Sequence, residues 1–162
     1  PMTQHEDQRI CGGCYCGGVR FSLTEGTRPV DLVGNPPVGT AYCHSRDCQQ
    51  AHAAPLYQVA VVSHVDFQVT DGEELLDWYT RAESKRNTLQ RYFCKRCGSR
   101  VFNHLSPQFG DRAGVKLTCV FPTLFDDESI ARSDLWVPKC HIRCNEAIID
   151  LAVFDDGLPR EG

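Results

Sequence analysis

Ten cysteines punctuate the 162-residue chain, and their spacing is where its chemistry would reside. Cys14-Tyr15-Cys16-Gly17-Gly18 is followed about 80 residues later by Cys94-Lys95-Arg96-Cys97-Gly98. In a C-x-x-C-G turn two thiolates converge from one tight turn, and the glycine takes the conformation that lets backbone N–H groups point at sulfur. Two such turns from distant parts of the chain supply the four thiolates of a closed, tetrahedral zinc site. Cys14, Cys16, Cys94 and Cys97 are therefore the expected structural ligands. Buried thiols or a redox dithiol are the competing readings, and the lack of a βαβ pattern around Cys94 and Cys97 argues against the second. Cys11 also makes a C-x-x-C with Cys14, but no glycine follows Cys14, which favours Cys16. A third group, Cys43-His44-Ser45-Arg46-Asp47-Cys48, offers two thiolates and leaves any further ligand to be found.

The segments that must hold these groups read as short strands. Val19, Phe21 and Leu23 alternate with polar residues, as do Val65, Phe67 and Val69, a period of two that marks half-buried strands. Further strands are expected at 53–62, 74–80, 88–93, 100–103, 115–120, 139–143 and 147–153. Helix is scarce, with a turn or two after Asp47 and a short piece within 126–133, where the acidic start suits a helix N-terminus. Gly34-Asn35-Pro36-Pro37 and Phe121-Pro122 read as turns. Cys140 and Cys144 would share one face of a strand, as core or partly exposed thiols. The expectation is a mainly antiparallel β domain spanning 11–162 with cysteines in its turns. Residues 1–10 read as a tail, with Pro1 ahead of Met2 as the scar of a cleaved tag.

Composition excludes several classes. With 41% hydrophobic and 23% charged residues, the chain is neither disordered nor fibrous. No apolar run approaches the ~20 residues of a membrane span, and the N-terminus lacks the apolar core of a secretory signal. A soluble, cytoplasmic protein is expected, and in that reducing setting closely spaced cysteines favour metal over disulfides. The net charge of −4 argues against general nucleic-acid binding. Between 81 and 100, however, Arg81, Lys85, Arg86, Arg91, Lys95, Arg96 and Arg100 face Glu83 alone. Such cations can balance a four-thiolate zinc centre or bind an anionic ligand, and nothing in the sequence specifies an oligomeric state.

Taken in order, these motifs resemble the family of glutathione-dependent formaldehyde-activating enzymes and centromere protein V. Gly12 through Phe21 match its opening G-x-C-x-C-G-x-V-R-[FY], Cys43 through Gln49 approximate C-H-C-x-x-C-[RQ], and Phe93 through Ser99 match F-C-x-x-C-G-[ST]. Pro138-Lys139-Cys140-His141-Ile142 and Asp156-Gly157-Leu158-Pro159 match the late P-x-x-H-I and D-G-L-P. The resemblance implies a β-tent fold of antiparallel sheets around a structural zinc, and a second, catalytic zinc held by the C-x-C-x-x-C cysteines. It implies carbon–sulfur lyase activity on S-(hydroxymethyl)glutathione, formed from glutathione and formaldehyde. An open three-ligand zinc could activate a thiol or polarise a carbonyl.

The chain departs from that pattern at one position: Ser45 stands where the middle catalytic cysteine belongs. Zinc selects sulfur and imidazole over a neutral hydroxyl. Cys43 and Cys48 could keep a second zinc with His44, His52, Cys11 or Cys140 completing it. They could instead act without metal, as a nucleophile or a glutathione-disulfide partner, or stay inert. The leading expectation is a lyase-like zinc enzyme acting on a glutathione conjugate or reactive carbonyl intermediate. In it Cys43, Cys48, His44, His52 and His141 are the candidate catalytic residues, and Arg91, Arg96 and Arg100 orient anionic groups. Asp47 would hold the cysteine loop through backbone N–H groups. The rival expectation is a non-catalytic, zinc-stabilised binding module.

Overall fold

The run Val59-Ala60-Val61-Val62 is buried along its whole length, which a strand manages only where both faces of its sheet are covered. In the computed structural model, which describes residues 8–81, 89–105 and 116–162, that run lies inside a seven-stranded sheet. The strands are β1 (Ile10–Gly13), β2 (Arg20–Leu23), β3 (Thr40–Cys43), β4 (Tyr57–Ser63), β5 (Phe67–Asp71), β6 (Leu76–Tyr79), β7 (Leu89–Cys94), β8 (Arg100–Leu105), β9 (Leu117–Val120) and β10 (His141–Ile142). The large sheet runs β10-β3-β4-β9-β8-β7-β6, and a three-stranded sheet runs β1-β2-β5. Every pairing is antiparallel except β10 with β3. Helices α1 (Arg46–His52) and α2 (Glu128–Ala131) are short.

Two cores follow from the alternation. Ala60, Val62, Phe102 and Val120 pack with Val19, Phe21 and Leu23 of the small sheet and with Trp136 and Phe125. Val59, Val61, Leu105, Leu117 and Cys119 point the other way and pack with Ala41, Cys43, Cys48 and Phe121. This second face carries the candidate chemistry. None of the described helices is long and apolar enough to cross a membrane.

The mainly β expectation holds, and several boundaries change. Val65 is 85% exposed and belongs to a 3-10 turn, His64–Asp66, ahead of β5. Glu74 also sits in a 3-10 turn, Glu73–Leu75, before β6. The segment expected as strand at 147–153 carries a 3-10 turn, Leu151–Val153, in which Asp150 caps the N–H of Ala152. Its apolar Ile148 and Val153 are 61% and 69% exposed, so no sheet was available to bury an alternating face. The strand at 139–143 shrinks to two residues because Arg143 adopts a left-handed φ of 59°; Cys144 then starts a 3-10 turn, off the strand that was to align it with Cys140. β1 and β3 were not expected; two glycines hide the alternation in β1. Expectations for residues 1–7, for Glu83, Lys85, Arg86 and Thr88, and for Val115 lie outside the described residues.

Candidate active site and metal centre

The loop from β1 to β2 and the turn from β7 to β8 bring four sulfurs together. The Sγ atoms of Cys14, Cys16, Cys94 and Cys97 all lie within 4.8 Å of one another. Cys14 and Cys16 are 3.6 Å apart, and Cys16 and Cys94 are 3.9 Å apart; a tetrahedron with Zn–S bonds of about 2.3 Å has edges of about 3.8 Å. Each turn closes through a glycine at positive φ, Gly17 at 71° and Gly98 at 74°, which a side chain would strain. The N–H of Gly17 bonds the carbonyl of Cys14 at 2.9 Å, and that of Gly98 the carbonyl of Cys94 at 2.8 Å. Burial opposes ionisation of Cys14 and Cys97, but hydrogen bonds outweigh it. The Val19 N–H, 3.2 Å from Cys14 Sγ, and the neighbouring thiols lower Cys14. The Ser99 hydroxyl, 3.2 Å from Cys97 Sγ, and the Ser99 N–H bring Cys97 down to about 6. Four soft, ionisable sulfurs are a donor set compatible with zinc.

The other cysteine group lines a cavity of ≈ 120 Å³ on the second face of the large sheet, between β4, β7, β9 and α1. Cys43 closes β3 directly opposite Tyr57 of β4, and Cys48 sits in the first turns of α1. Arg91 Nη2 lies 3.8 Å from Cys48 Sγ, and the Tyr57 hydroxyl donates to the same sulfur at 3.5 Å. Ser45 is the N-cap residue of α1, yet its hydroxyl makes no cap bond; it supports Cys48. The hydrogen bond from Cys43 lowers Cys48 most; burial opposes, and Tyr57, Arg91 and Ser45 add to the lowering, leaving Cys48 at about 6. Cys43 is raised by the same hydrogen bond and by burial, so of the two sulfurs Cys48 ionises first. Cys119, also in the cavity wall, is pushed up to about 12 by burial.

The second zinc that the resemblance implies finds no adequate donor set there. Ser45 supplies a neutral hydroxyl, and among the described residues no group of three or more metal-binding atoms gathers except around Cys14. The cation beside Cys48 is the guanidinium of Arg91, 8% exposed.

The histidines divide. His44 Nε2 lies 2.8 Å from His141 Nδ1, and His141 Nε2 lies 2.8 Å from Asp156 Oδ2. His44 and His141 are both fully buried, neither lines the Cys48 cavity, and His44 Nδ1 has no partner. His52 stacks on Tyr57 with ring centroids 4.2 Å apart, and burial, then Arg100 and Arg91, lower it to about 4. His52, Tyr57, Ser99 and Arg100 border a larger depression of ≈ 790 Å³. The arginines divide as well. Arg91 reaches Cys48, Arg100 donates to the Tyr79 hydroxyl at 2.5 Å and to Asn103 at 2.9 Å, and Arg96 covers Gly18 beside the metal centre. Asp47 pairs with Arg81 at 2.6 Å. Tyr57 and Cys119 were not singled out in the sequence; a polar-tipped aromatic opening an otherwise apolar strand was the available signal for Tyr57.

Among solved structures, the crystal structure of a Rhodobacter sphaeroides protein is similar with a TM-score of 0.48 and 18% identity, covering 76% of this chain and 95% of that one. No curated protein matches the chain. The family model for glutathione-dependent formaldehyde-activating enzyme matches residues 9–146. That match takes in both knuckles, the Cys43–Cys48 loop and His141, and the chain belongs to the glutathione-dependent formaldehyde-activating enzyme family.

Proposed function

We propose that the chain is a thiol-dependent enzyme that forms or breaks a carbon–sulfur bond at Cys48, acting on a small reactive carbonyl compound or its glutathione adduct. One metal, zinc by donor type, would serve the fold at Cys14, Cys16, Cys94 and Cys97. The contact of Arg91 with Cys48 carries the reading, because a fixed, buried cation favours the thiolate that attacks carbon. In the forward direction the Cys48 thiolate adds to the carbonyl carbon, the C=O bond opens, and the oxygen takes a proton to give a thiohemiacetal. Tyr57 and Arg91, which both contact Cys48 Sγ, would donate hydrogen bonds to that oxygen as charge develops on it. Loss of that proton and cleavage of the C–S bond regenerate the C=O and the Cys48 thiolate, and an incoming thiol then adds to the carbonyl carbon as its proton passes to the oxygen.

Size supports a division of labour. A cavity of ≈ 120 Å³ suits a substrate of a few heavy atoms, well below the roughly 300–1,000 Å³ that houses larger ligands. The ≈ 790 Å³ depression shares Tyr57 with it and carries Arg100, which suits the carboxylates of a glutathionyl group. The test is S-(hydroxymethyl)glutathione formation and breakdown, with formaldehyde and with larger aldehydes, by wild type and Cys48→Ser. Cys48→Ser should bring the rate to the uncatalysed level. Equal rates in the two proteins would overturn the reading.

A further inference from the structure

We infer that Cys43 and Cys48 form a redox-active dithiol that reduces a low-molecular-weight disulfide, with Cys48 attacking and Cys43 resolving. This is a second reaction of the thiolate in the proposed function, and it needs a feature that carbonyl chemistry does not: a neighbouring thiol in the same cavity. The two cysteines line one chamber, and each is the largest influence on the other's ionisation. Arg91 and Tyr57 contact Cys48, at 3.8 and 3.5 Å, so the two sulfurs are not equivalent. Cys119 borders the chamber too, but burial keeps it protonated.

The chemistry balances with the disulfide as the oxidant. The Cys48 thiolate attacks one sulfur of R–S–S–R; the S–S bond breaks, a Cys48–S–S–R mixed disulfide forms, and R–S⁻ leaves to take up a proton. Cys43 gives up its proton and attacks Cys48 Sγ, expelling the second R–S⁻. The protein loses two electrons and closes a Cys43–Cys48 disulfide, while R–S–S–R becomes two thiols. An attacking thiol works best when its pKa lies near the ambient pH, and Cys48 lies at about 6. At pH 6 its larger thiolate fraction outweighs its weaker nucleophilicity, for an advantage of about tenfold over an unperturbed thiol.

The experiment treats the metal-loaded protein at pH 6 with bis(hydroxyethyl) disulfide, or with oxidised glutathione, and maps the products by non-reducing peptide mass spectrometry. Wild type should yield a Cys43–Cys48 disulfide. Cys43→Ser should stop at a mixed disulfide on Cys48, with no second thiol to resolve it. Products from the small disulfide alone would mean the chamber excludes glutathione, and support the inference for small disulfides. Wild type that turns over aldehyde yet forms no Cys43–Cys48 disulfide would sink this inference and leave the proposed function standing. A Cys43→Ser protein modified only at Cys11 would sink it as well.

Discussion

The guanidinium of Arg91, on the seventh strand, lies 3.8 Å from the sulfur of Cys48, on a helix 43 residues earlier. Both groups are buried, Arg91 at 8% and Cys48 at 6% exposure. A cation in such a setting is screened little by solvent, so it adds to the lowering that Cys43 and Tyr57 begin. Arg91→Gln should therefore raise the Cys48 midpoint by about one unit or more. Alkylation of Cys48 by iodoacetamide at pH 6, followed by peptide mapping, should slow about twofold, because the drop in thiolate fraction outweighs the gain in intrinsic nucleophilicity. An unchanged pH profile would show that Arg91 does not set the ionisation of Cys48.

Metal counting separates the two cysteine groups. Purified protein should hold one zinc per chain, lost in Cys14→Ser. A structural zinc contributes on the order of 10 kcal/mol in small domains, comparable with the whole stability of about 5–15 kcal/mol. The variant should accordingly lose cooperative unfolding. Two zinc ions per chain, with one lost in Cys48→Ser, would contradict a metal-free Cys48.

Acid should destabilise the fold through two imidazoles. Burial lowers both His52 and His104 to about 4 from the ordinary 6.5, with Arg100 and Arg91 adding for His52, and His64 and Lys116 for His104. Between those pH values the unfolded chain binds more protons than the folded one, so stability present above pH 6.5 is lost as the pH falls toward 4. The loss is on the order of 2 kcal/mol per histidine. Urea unfolding across that range, with metal content followed in parallel, should show a shallower slope in His52→Gln/His104→Gln. A slope unchanged by the double substitution would assign the acid sensitivity elsewhere.

Ala53 ends α1 in a left-handed conformation, φ 50° and ψ 40°, with its N–H on the carbonyl of Gln49. A Cβ there costs roughly 1–2 kcal/mol, part of which glycine returns through the freedom it gains in the unfolded chain. Ala53→Gly should thus stabilise the protein by about 0.5–1 kcal/mol, seen as a higher Tm. A lower Tm would mean that the methyl group packs more usefully than the backbone is strained.

How far the sequence reaches depends on whether a group's partners are local. The ligands at Cys14, Cys16, Cys94 and Cys97 were legible because each pair is set by one turn, whose glycine is visible beside it. The substitution at Ser45 was legible for the same reason. Arg91, Arg96 and Arg100 looked alike in the sequence because alternation assigns a strand face but not what that face meets. The sheet order decides that: Arg91 lies across from Asn103, and Asn103 across from Cys119, which carries β7 to the cavity. The segment at 147–153 misled because its apolar residues have a strand's composition but no neighbouring strand. The chain from Asp156 through His141 to His44 joins three motifs recognised separately, and the parallel pairing of β10 with β3, together with the bridge from His141 to Arg160, brings them into one line.

The metal centre draws one knuckle from the small sheet and one from the large sheet, and the large-sheet knuckle begins at Cys94, three residues beyond Arg91 on the same strand. Arg91 is paired on both sides, with Tyr79 of β6 and Asn103 of β8, so one strand carries a metal ligand at its end and the thiol's cation in its middle.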